Sequence, residues 1–161
     1  MSNLTIVGID PGKNGAIAVL TPDGEVQTLQ LAKATERDIA EFLSYRSPGV
    51  AYLEQVASSP QMGVVSAFNF GCSFGSLRMA VIASRLQLET VLPRKWQSAM
   101  RVKKIGGGFG KNDTEKKRAT KARAQEIFPE IKITNAISDA LLLMEFGRIT
   151  RGVSHDRNRA V

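Results

Sequence analysis

The chain has 161 residues and a hydrophobic fraction of 43%, which predicts a single globular domain. One Cys and one His exclude an intrachain disulfide and a structural zinc site within the chain. The apolar runs are short and the N-terminus lacks a basic start, so we expect no membrane-spanning helix, no secretory signal and a cytoplasmic location.

Five segments predict β-strands. The first, LTIVGID, is a near-continuous apolar run that is typical of a strand buried on both faces, and Pro11-Gly12 ends it. Pro22-Asp23-Gly24 is a turn signal that pairs the second and third strands as a hairpin. The predicted strands are residues 4–10, 15–21, 25–31, 50–56 and 88–92.

Helices are predicted between and after these strands. Thr35 is a candidate N-cap, and Pro93 suits the first turn of another helix. One helix is apolar nearly all round, and its Gly71 and Gly75 would allow close approach of another element or a kink. The predicted helices are residues 35–46, 61–85, 93–100, about 113–128 and about 137–149.

The order βββαβαβα predicts an α/β fold with a mixed five-stranded sheet flanked by helices. We expect one domain over residues 1–150 and a basic, flexible tail over residues 151–161.

Three acidic residues interrupt segments that otherwise read as core. Asp10 ends an apolar strand, Glu54 lies in the β-rich AYLEQV, and Asp139 precedes Ala-Leu-Leu-Leu-Met. Each has an ordinary explanation: a turn residue, a solvated strand residue and a helix-dipole partner, respectively. Together they predict a cluster of hard oxygen ligands at strand ends, which suits Mg²⁺ or Mn²⁺. Two such ions can promote phosphodiester hydrolysis without a catalytic His.

Several motifs resemble those of the RuvC-type Holliday junction resolvases, especially the short phage-encoded members. The resemblance runs in collinear order over about residues 4–150. The matching motifs are GIDPGKNGAIAV at 8–19, LEQV at 53–56, FNFGCSFG at 68–75, PRKWQSAM at 93–100 and ISDALLL at 137–143.

The resemblance implies an RNase H-like fold, a homodimer, and divalent-metal-dependent paired nicking of four-way DNA junctions in recombination and repair. It implies that Asp10, Glu54 and Asp139 are the catalytic metal ligands. It also places the protein in the cytoplasm of a bacterium or of a phage-infected host, with no nucleotide cofactor.

Two departures from the family pattern stand out. The family carries a fourth ligand, Asp or His, three or four residues before the last Asp, where this chain has Ala136 and Asn135. Asn135 would offer a weaker, neutral oxygen from the same helix face, or the position has been changed so as to silence the enzyme. Some members also place an aromatic wedge just after the strand glutamate; here that role is vacant or passes to Met62, Phe68 or Phe70, although we favour core or dimer packing for the phenylalanines.

Charge predicts where nucleic acid binds. Lys and Arg number 22 against 15 acidic residues, a formal net charge of +7, which favours a polyanionic partner over mere solubility. Residues 101–123 and four arginines near the C-terminus, at positions 148, 151, 157 and 159, form two basic clusters. The predicted phosphate contacts are Lys103, Lys104, Lys111, Lys116, Lys117 and Arg118.

Two other features are interpreted more plainly. GGGFGK at 106–111 lacks the glycine spacing and the Ser/Thr of a P-loop, so we expect a basic loop and no nucleotide site. Trp96 would either pack in the core or stack on a base, and packing is the commoner fate.

Three other functions compete with the resolvase. A sugar-kinase or actin-like ATPase opens with a similar Asp-x-Gly hairpin, but it needs two such domains and a second phosphate loop. A non-catalytic DNA-binding relative is compatible with the missing fourth carboxylate. A nuclease for other branched or RNA-containing substrates would use the same fold and acids.

Overall fold

In a computed structural model, the chain is described over residues 4–56, 60–102 and 113–154. The strands are β1 (Thr5–Asp10), β2 (Ala16–Leu20), β3 (Val26–Gln30), β4 (Gly49–Glu54) and β5 (Gln87–Val91). The helices are α1 (Glu36–Leu43), α2 (Val64–Ala83), α3 (Pro93–Ala99), α4 (Asp113–Ile127) and α5 (Ser138–Thr150), with a 3₁₀ turn at Leu31–Lys33. All five predicted strands and all five predicted helices are present, with small shifts at their ends.

The five strands form one mixed sheet in the order β3-β2-β1-β4-β5. The hairpin strands pair antiparallel, whereas β1–β4 and β4–β5 pair parallel. This confirms the predicted mixed five-stranded sheet. The central strand β1 is buried from Thr5 to Ile9, as its continuous apolar run predicts.

Strand alternation divides the core into two layers. On one face, Ile6, Val50 and Tyr52 pack with α3, α4 and α5. On the other face, the intervening strand residues pack with Leu43 of α1 and with Leu77 and Val81 of α2. The helices therefore cover both faces of the sheet.

Helix α5 lies directly on the central strands. Any side chain at position 8 would meet the α5 backbone at Ala140 and Met144, so Gly8 allows the helix to approach β1. Gly147 has the same role near Tyr52, whose ring fills the space where a Cβ would lie. From Ala140 to Gly147, every residue of α5 is buried.

Helix α2 has the opposite environment. Only Leu77 and Val81 are fully buried, and Val64 and Phe68 are 86% and 70% exposed. By length and composition alone, α2 is long and apolar enough to cross a membrane. A single helix of this kind is weak evidence for a membrane segment.

Candidate active site at the ends of the central strands

Asp10 and Glu54 end two neighbouring strands. They are the last residues of β1 and β4, which run parallel with Ile9 opposite Leu53. Ile9 and Leu53 pack in the layer that contains α1 and α2. Since consecutive strand side chains point to opposite faces, Asp10 and Glu54 both lie on the α5 face.

Asp139 approaches the same strand ends from above the sheet. It is the second residue of α5, and the close contact at Gly8 brings this helix down onto β1. A carboxylate in the first turn is also favoured by the partial positive charge of the helix N-terminus.

The three carboxylates influence one another. Burial, repulsion from Asp139 and repulsion from Glu54, in that order of size, together raise the pKa of Asp10 to about 8. Burial and repulsion from Asp139 raise the pKa of Glu54 to about 7 against the opposing effect of a hydrogen bond from Trp96. Burial likewise raises the pKa of Asp139. The three predicted acids therefore form one electrostatically coupled group.

Helix α4 partly offsets this charge. Lys117 lowers the pKa of both Asp10 and Asp139 by electrostatic attraction. The buried Thr120, whose hydroxyl donates to Lys117 O at 3.1 Å, also lowers the pKa of Asp139, as does the Ser138 hydroxyl, which donates to Asp139 Oδ1 at 3.4 Å. Sequence reasoning missed Thr120, since a Thr in a polar helix carries no signal of its own.

Trp96 holds the second carboxylate. Its side chain is fully buried, and its indole Nε1 donates to Glu54 Oε1 at 3.0 Å. The predicted core packing is confirmed, and the alternative of stacking on a base is wrong because no ring face is accessible. A lone Trp in the short, polar PRKWQSAM segment was the available signal.

The donor set suits a hard divalent cation, but the carboxylates are not drawn together into a binding site. Asp10, Glu54 and Asp139 supply oxygen atoms, which Mg²⁺ and Mn²⁺ prefer. Across residues 4–56, 60–102 and 113–154, no three Asp, Glu, His or Cys side chains form a group that could hold a metal ion as they lie. A divalent ion would add positive charge to this acidic group, which Lys117 offsets only in part.

The remaining predicted ligand lies outside the helix. Asn135 is exposed in the turn before α5, and its backbone oxygen accepts a hydrogen bond from Ser138 at 3.3 Å. The expectation that Asn135 shares a helix face with Asp139 is therefore wrong, because α5 begins only at Ser138.

The candidate wedge residues occupy different surroundings. Phe68 is 70% exposed, so core packing within the chain is wrong for this residue. Phe70 is partly buried, and its ring edge lies 3.8 Å from the position of a Cβ on Gly12. Phe70 therefore lies next to the loop that follows Asp10. Met62 is partly buried just before α2.

The predicted basic surfaces are partly revised. Lys116, Lys117 and Arg118 are exposed on α4, whereas Lys103, Lys104 and Lys111 lie outside the described residues. In the predicted C-terminal cluster, Arg157 and Arg159 also lie outside the described residues, whereas Arg148 and Arg151 both have partners within the chain. Arg148 pairs with Glu145 at 2.8 Å, and Arg151 bonds to the Tyr52 hydroxyl at 2.9 Å and pairs with Glu89. These two arginines tie the end of α5 to its surroundings, so they are not free to form a basic patch.

Similar folds occur among solved structures. A Thermus thermophilus RuvC structure matches with a TM-score of 0.62 and 14% identity, over 92% of this chain and 96% of that chain. T. thermophilus RuvC in complex with a Holliday junction substrate matches with a TM-score of 0.60 and 13% identity, over 92% and 96%. The fowlpox virus Holliday junction resolvase matches with a TM-score of 0.55 and 16% identity, over 91% and 99%.

Comparison of the sequence gives no match: no family model matches the chain, and no curated protein is detectably similar to it in sequence. The structural matches cover nearly the whole of both partners, and at this identity they show a shared fold. The chain therefore has the RNase H-like fold of RuvC and of the poxvirus resolvase.

Proposed function

We propose that this chain is a metal-dependent endonuclease that resolves four-way DNA junctions by paired nicking. One observation carries the proposal: Asp10 and Glu54 end two neighbouring parallel strands on the face covered by α5, and Asp139 of α5 is close enough to raise the pKa of both by repulsion. The shared fold supports the proposal. RuvC has been solved in complex with a Holliday junction substrate, and the fowlpox virus protein is a Holliday junction resolvase.

Each acidic residue has a defined role in this proposal. Asp10, Glu54 and Asp139 would hold one or two Mg²⁺ or Mn²⁺ ions through their carboxylate oxygens. The bound metal would supply an activated water and charge stabilisation of the leaving oxygen. Lys117, which already attracts Asp10 and Asp139, would contact a phosphate beside the cut.

The DNA surface would extend along α4. Lys116 and Arg118 are exposed on either side of Lys117 and are available for backbone phosphates. We assign Lys103, Lys104 and Lys111 to the same surface on sequence grounds alone. Junction affinity should fall steeply with salt, and Lys116→Ala should reduce that salt dependence by about one unit of slope.

Cleavage assays test this function directly. A labelled four-way junction should be nicked symmetrically with Mg²⁺ or Mn²⁺ and left intact in EDTA. Asp10→Asn should abolish nicking while preserving folding and junction binding. Asp23→Asn is the matched control, because Asp23 is an exposed turn residue far along the hairpin. Normal Mg²⁺-dependent nicking by Asp10→Asn would remove Asp10 from the mechanism.

Two alternatives share the fold. The missing fourth carboxylate and the open arrangement of the three acids favour a non-catalytic junction-binding relative. Tight junction binding without cleavage in any metal would identify it. Comparing four-way, three-way, flap and RNA–DNA hybrid substrates would identify a nuclease with a different preference.

A substitution at Asn135 tests whether the chain is an enzyme or a non-catalytic relative. If position 135 is a weakened ligand, Asn135→Asp should raise metal affinity or nicking, because it adds a full charge to the site. Unchanged metal affinity and nicking in a folded variant would mean that Asn135 is not a ligand.

We also propose that the chain acts as a homodimer through α2. Val64, Phe68, Gly71, Gly75, Met79 and Ile82 recur at three- and four-residue spacing, so they share one helix face, opposite the buried Leu77 and Val81. We call this face the apolar stripe of α2. Nothing lies within 4 Å of a Cβ placed on Gly71 or Gly75, so these two glycines leave open space in the stripe. Paired cuts on a two-fold junction need two sites, and the described residues of each chain provide one candidate site.

Sedimentation at micromolar concentration tests the dimer. The wild type should sediment at twice the chain mass, and Phe68→Asp should shift it to the monomer, because a charge in an apolar interface is costly. A wild-type chain that remains monomeric when bound to a junction would rule out the paired-cut mechanism. We place this activity in the cytoplasm, where junction DNA is processed in bacteria and infected hosts.

A further inference from the structure

Trp96 is buried beside the candidate site, and its indole nitrogen reaches Glu54. It is the only tryptophan of the chain, and it belongs to the same core layer as α5, Met100 and Phe128. Its indole N–H donates to Glu54 Oε1 at 3.0 Å. A residue needed only to fill the core could be a Phe, which has no N–H to satisfy.

The backbone holds both partners of this bond in place. Helix α3 begins with Pro93 immediately after β5, and β5 pairs in parallel with β4, the strand that ends at Glu54. The Gln55 N–H donates to Val91 O at 2.7 Å, which extends the strand pairing past the glutamate. The indole therefore reaches Glu54 from a fixed neighbouring element, and its ring cannot turn within the packed core.

The bond leaves half of the carboxylate available. Trp96 has a single donor, which engages Oε1, so Oε2 of Glu54 remains for another partner. A glutamate has several rotatable bonds, and one fixed hydrogen bond removes much of the freedom that a ligand would otherwise lose on binding an ion. Partners that orient a metal ligand in this way change metal affinity about 10- to 100-fold when they are removed.

We propose that Trp96 is a positioning residue that orients Glu54 for a divalent cation, and that its fluorescence reports the arrival of this cation. This inference rests on the proposed function, because that function makes a divalent cation the cofactor of this site. It does not require that the protein cuts DNA. Because the chain has no other tryptophan, a change in tryptophan emission reports a change in the electrostatic field near Glu54 alone.

Two binding measurements test the inference on the full-length chain. Titration of the wild type with Mg²⁺, and separately with Mn²⁺, should give a saturable change in tryptophan emission. Glu54→Gln should lose this response, since Gln still accepts the indole N–H but offers no charge. Calorimetric titration of Trp96→Phe should show Mg²⁺ binding weakened about 10-fold, because Phe fills the space without donating.

A matched variant separates positioning from loss of stability. Met100→Ala opens the same core layer one helical turn after Trp96 without touching Glu54, so it should lower the melting temperature and leave Mg²⁺ affinity unchanged. If Trp96→Phe does not fold, an emission change on adding Mg²⁺ that is equal in wild type and Glu54→Gln would still overturn the inference, since both retain the tryptophan.

The outcomes distinguish this inference from the nuclease proposal. Equal Mg²⁺ affinity in wild type and Trp96→Phe would overturn the positioning role even if the protein nicks junctions. A cation-dependent emission change with no cleavage of any substrate would support the role of Trp96 and overturn the nuclease. A wild type that binds neither cation would overturn both.

Discussion

Helices α2 and α5 are both rich in apolar residues, yet only α5 is buried. From Ala140 to Gly147, α5 is closed off from solvent, whereas α2 buries Leu77 and Val81 and exposes Val64 and Phe68. The difference lies in their contacts with the sheet. Helix α5 crosses β1, β2 and β4 at the centre, while α2 packs against α1 and the edge strand β5.

Glycines show the same contrast. Gly8 and Gly147 lie where α5 meets the sheet, and a Cβ at either would meet neighbouring atoms. A Cβ on Gly71 or Gly75 of α2 would meet nothing within 4 Å. An apolar helix is therefore buried only where the opposing surface lets its backbone approach, and composition alone does not reveal this.

The largest expected effect compares one large side chain from each helix. Leu142→Ala should cost about 3 kcal/mol of unfolding free energy, because Leu142 is fully buried on the sheet. Phe68→Ala should change stability by less than about 0.5 kcal/mol in the monomer, because its ring is 70% exposed. Urea unfolding over a range of protein concentrations measures both. A large cost for Phe68→Ala at every concentration would mean that this ring packs within its own chain.

The same small substitution should have opposite signs at two glycines. Gly8→Ala should cost about 2 kcal/mol, because the added methyl meets the α5 backbone, which cannot move aside. Gly75→Ala should stabilise the monomer by about 0.5 kcal/mol, because Ala is the better helix former and the space is open. Thermal unfolding of the two variants measures the difference. If Gly75→Ala instead dissociates a dimer in sedimentation, this open space belongs to the proposed interface.

A smaller effect follows from the charges on the α5 face. Because the folded-state pKa of Asp10 is raised from 3.8 to about 8, the folded protein binds this proton more tightly than the unfolded chain. Stability of the protein in EDTA should therefore fall as pH rises from about 4 to about 8. The partial exposure of Asp10 and the attraction of Lys117 reduce the effect, so we expect a loss of about 1 kcal/mol, well below what the full pKa shift would give.

Two aspartate variants test this pH dependence. Asp10→Asn should remove the loss of stability at pH 8. Asp23→Asn should retain it, because the pKa of Asp23 is lowered by its hydrogen bond from Thr21, so any contribution from Asp23 disappears only on acidification. Parallel pH profiles for wild type and Asp10→Asn would contradict the charge coupling at this site.

Much of the fold and part of the site could be predicted from local patterns. The continuous apolar run of β1 indicated a central strand, and Pro22-Asp23-Gly24 indicated the hairpin turn. Asp10 and Glu54 were found because a charge at the end of a buried strand is costly without a partner. Helix boundaries depend on capping and turn hydrogen bonds that pattern alone does not show. The sequence therefore predicts Asn135 on the face of a helix that begins only three residues later.

The amino-acid sequence by itself determined the elements, their order and the three acidic residues, because periodicity and misplaced charge are local properties. Only the tertiary structure decided how residues far apart in the chain meet. Glu54 and Trp96 are joined because α3 returns beside the end of β4, and Thr120 reaches Asp139 because α4 packs against α5. It also decided that Arg148 and Arg151 are engaged within the chain while the apolar stripe of α2 stays exposed. The free energy of a side chain depends on its neighbours in space, and those neighbours are set by the packing of the whole chain.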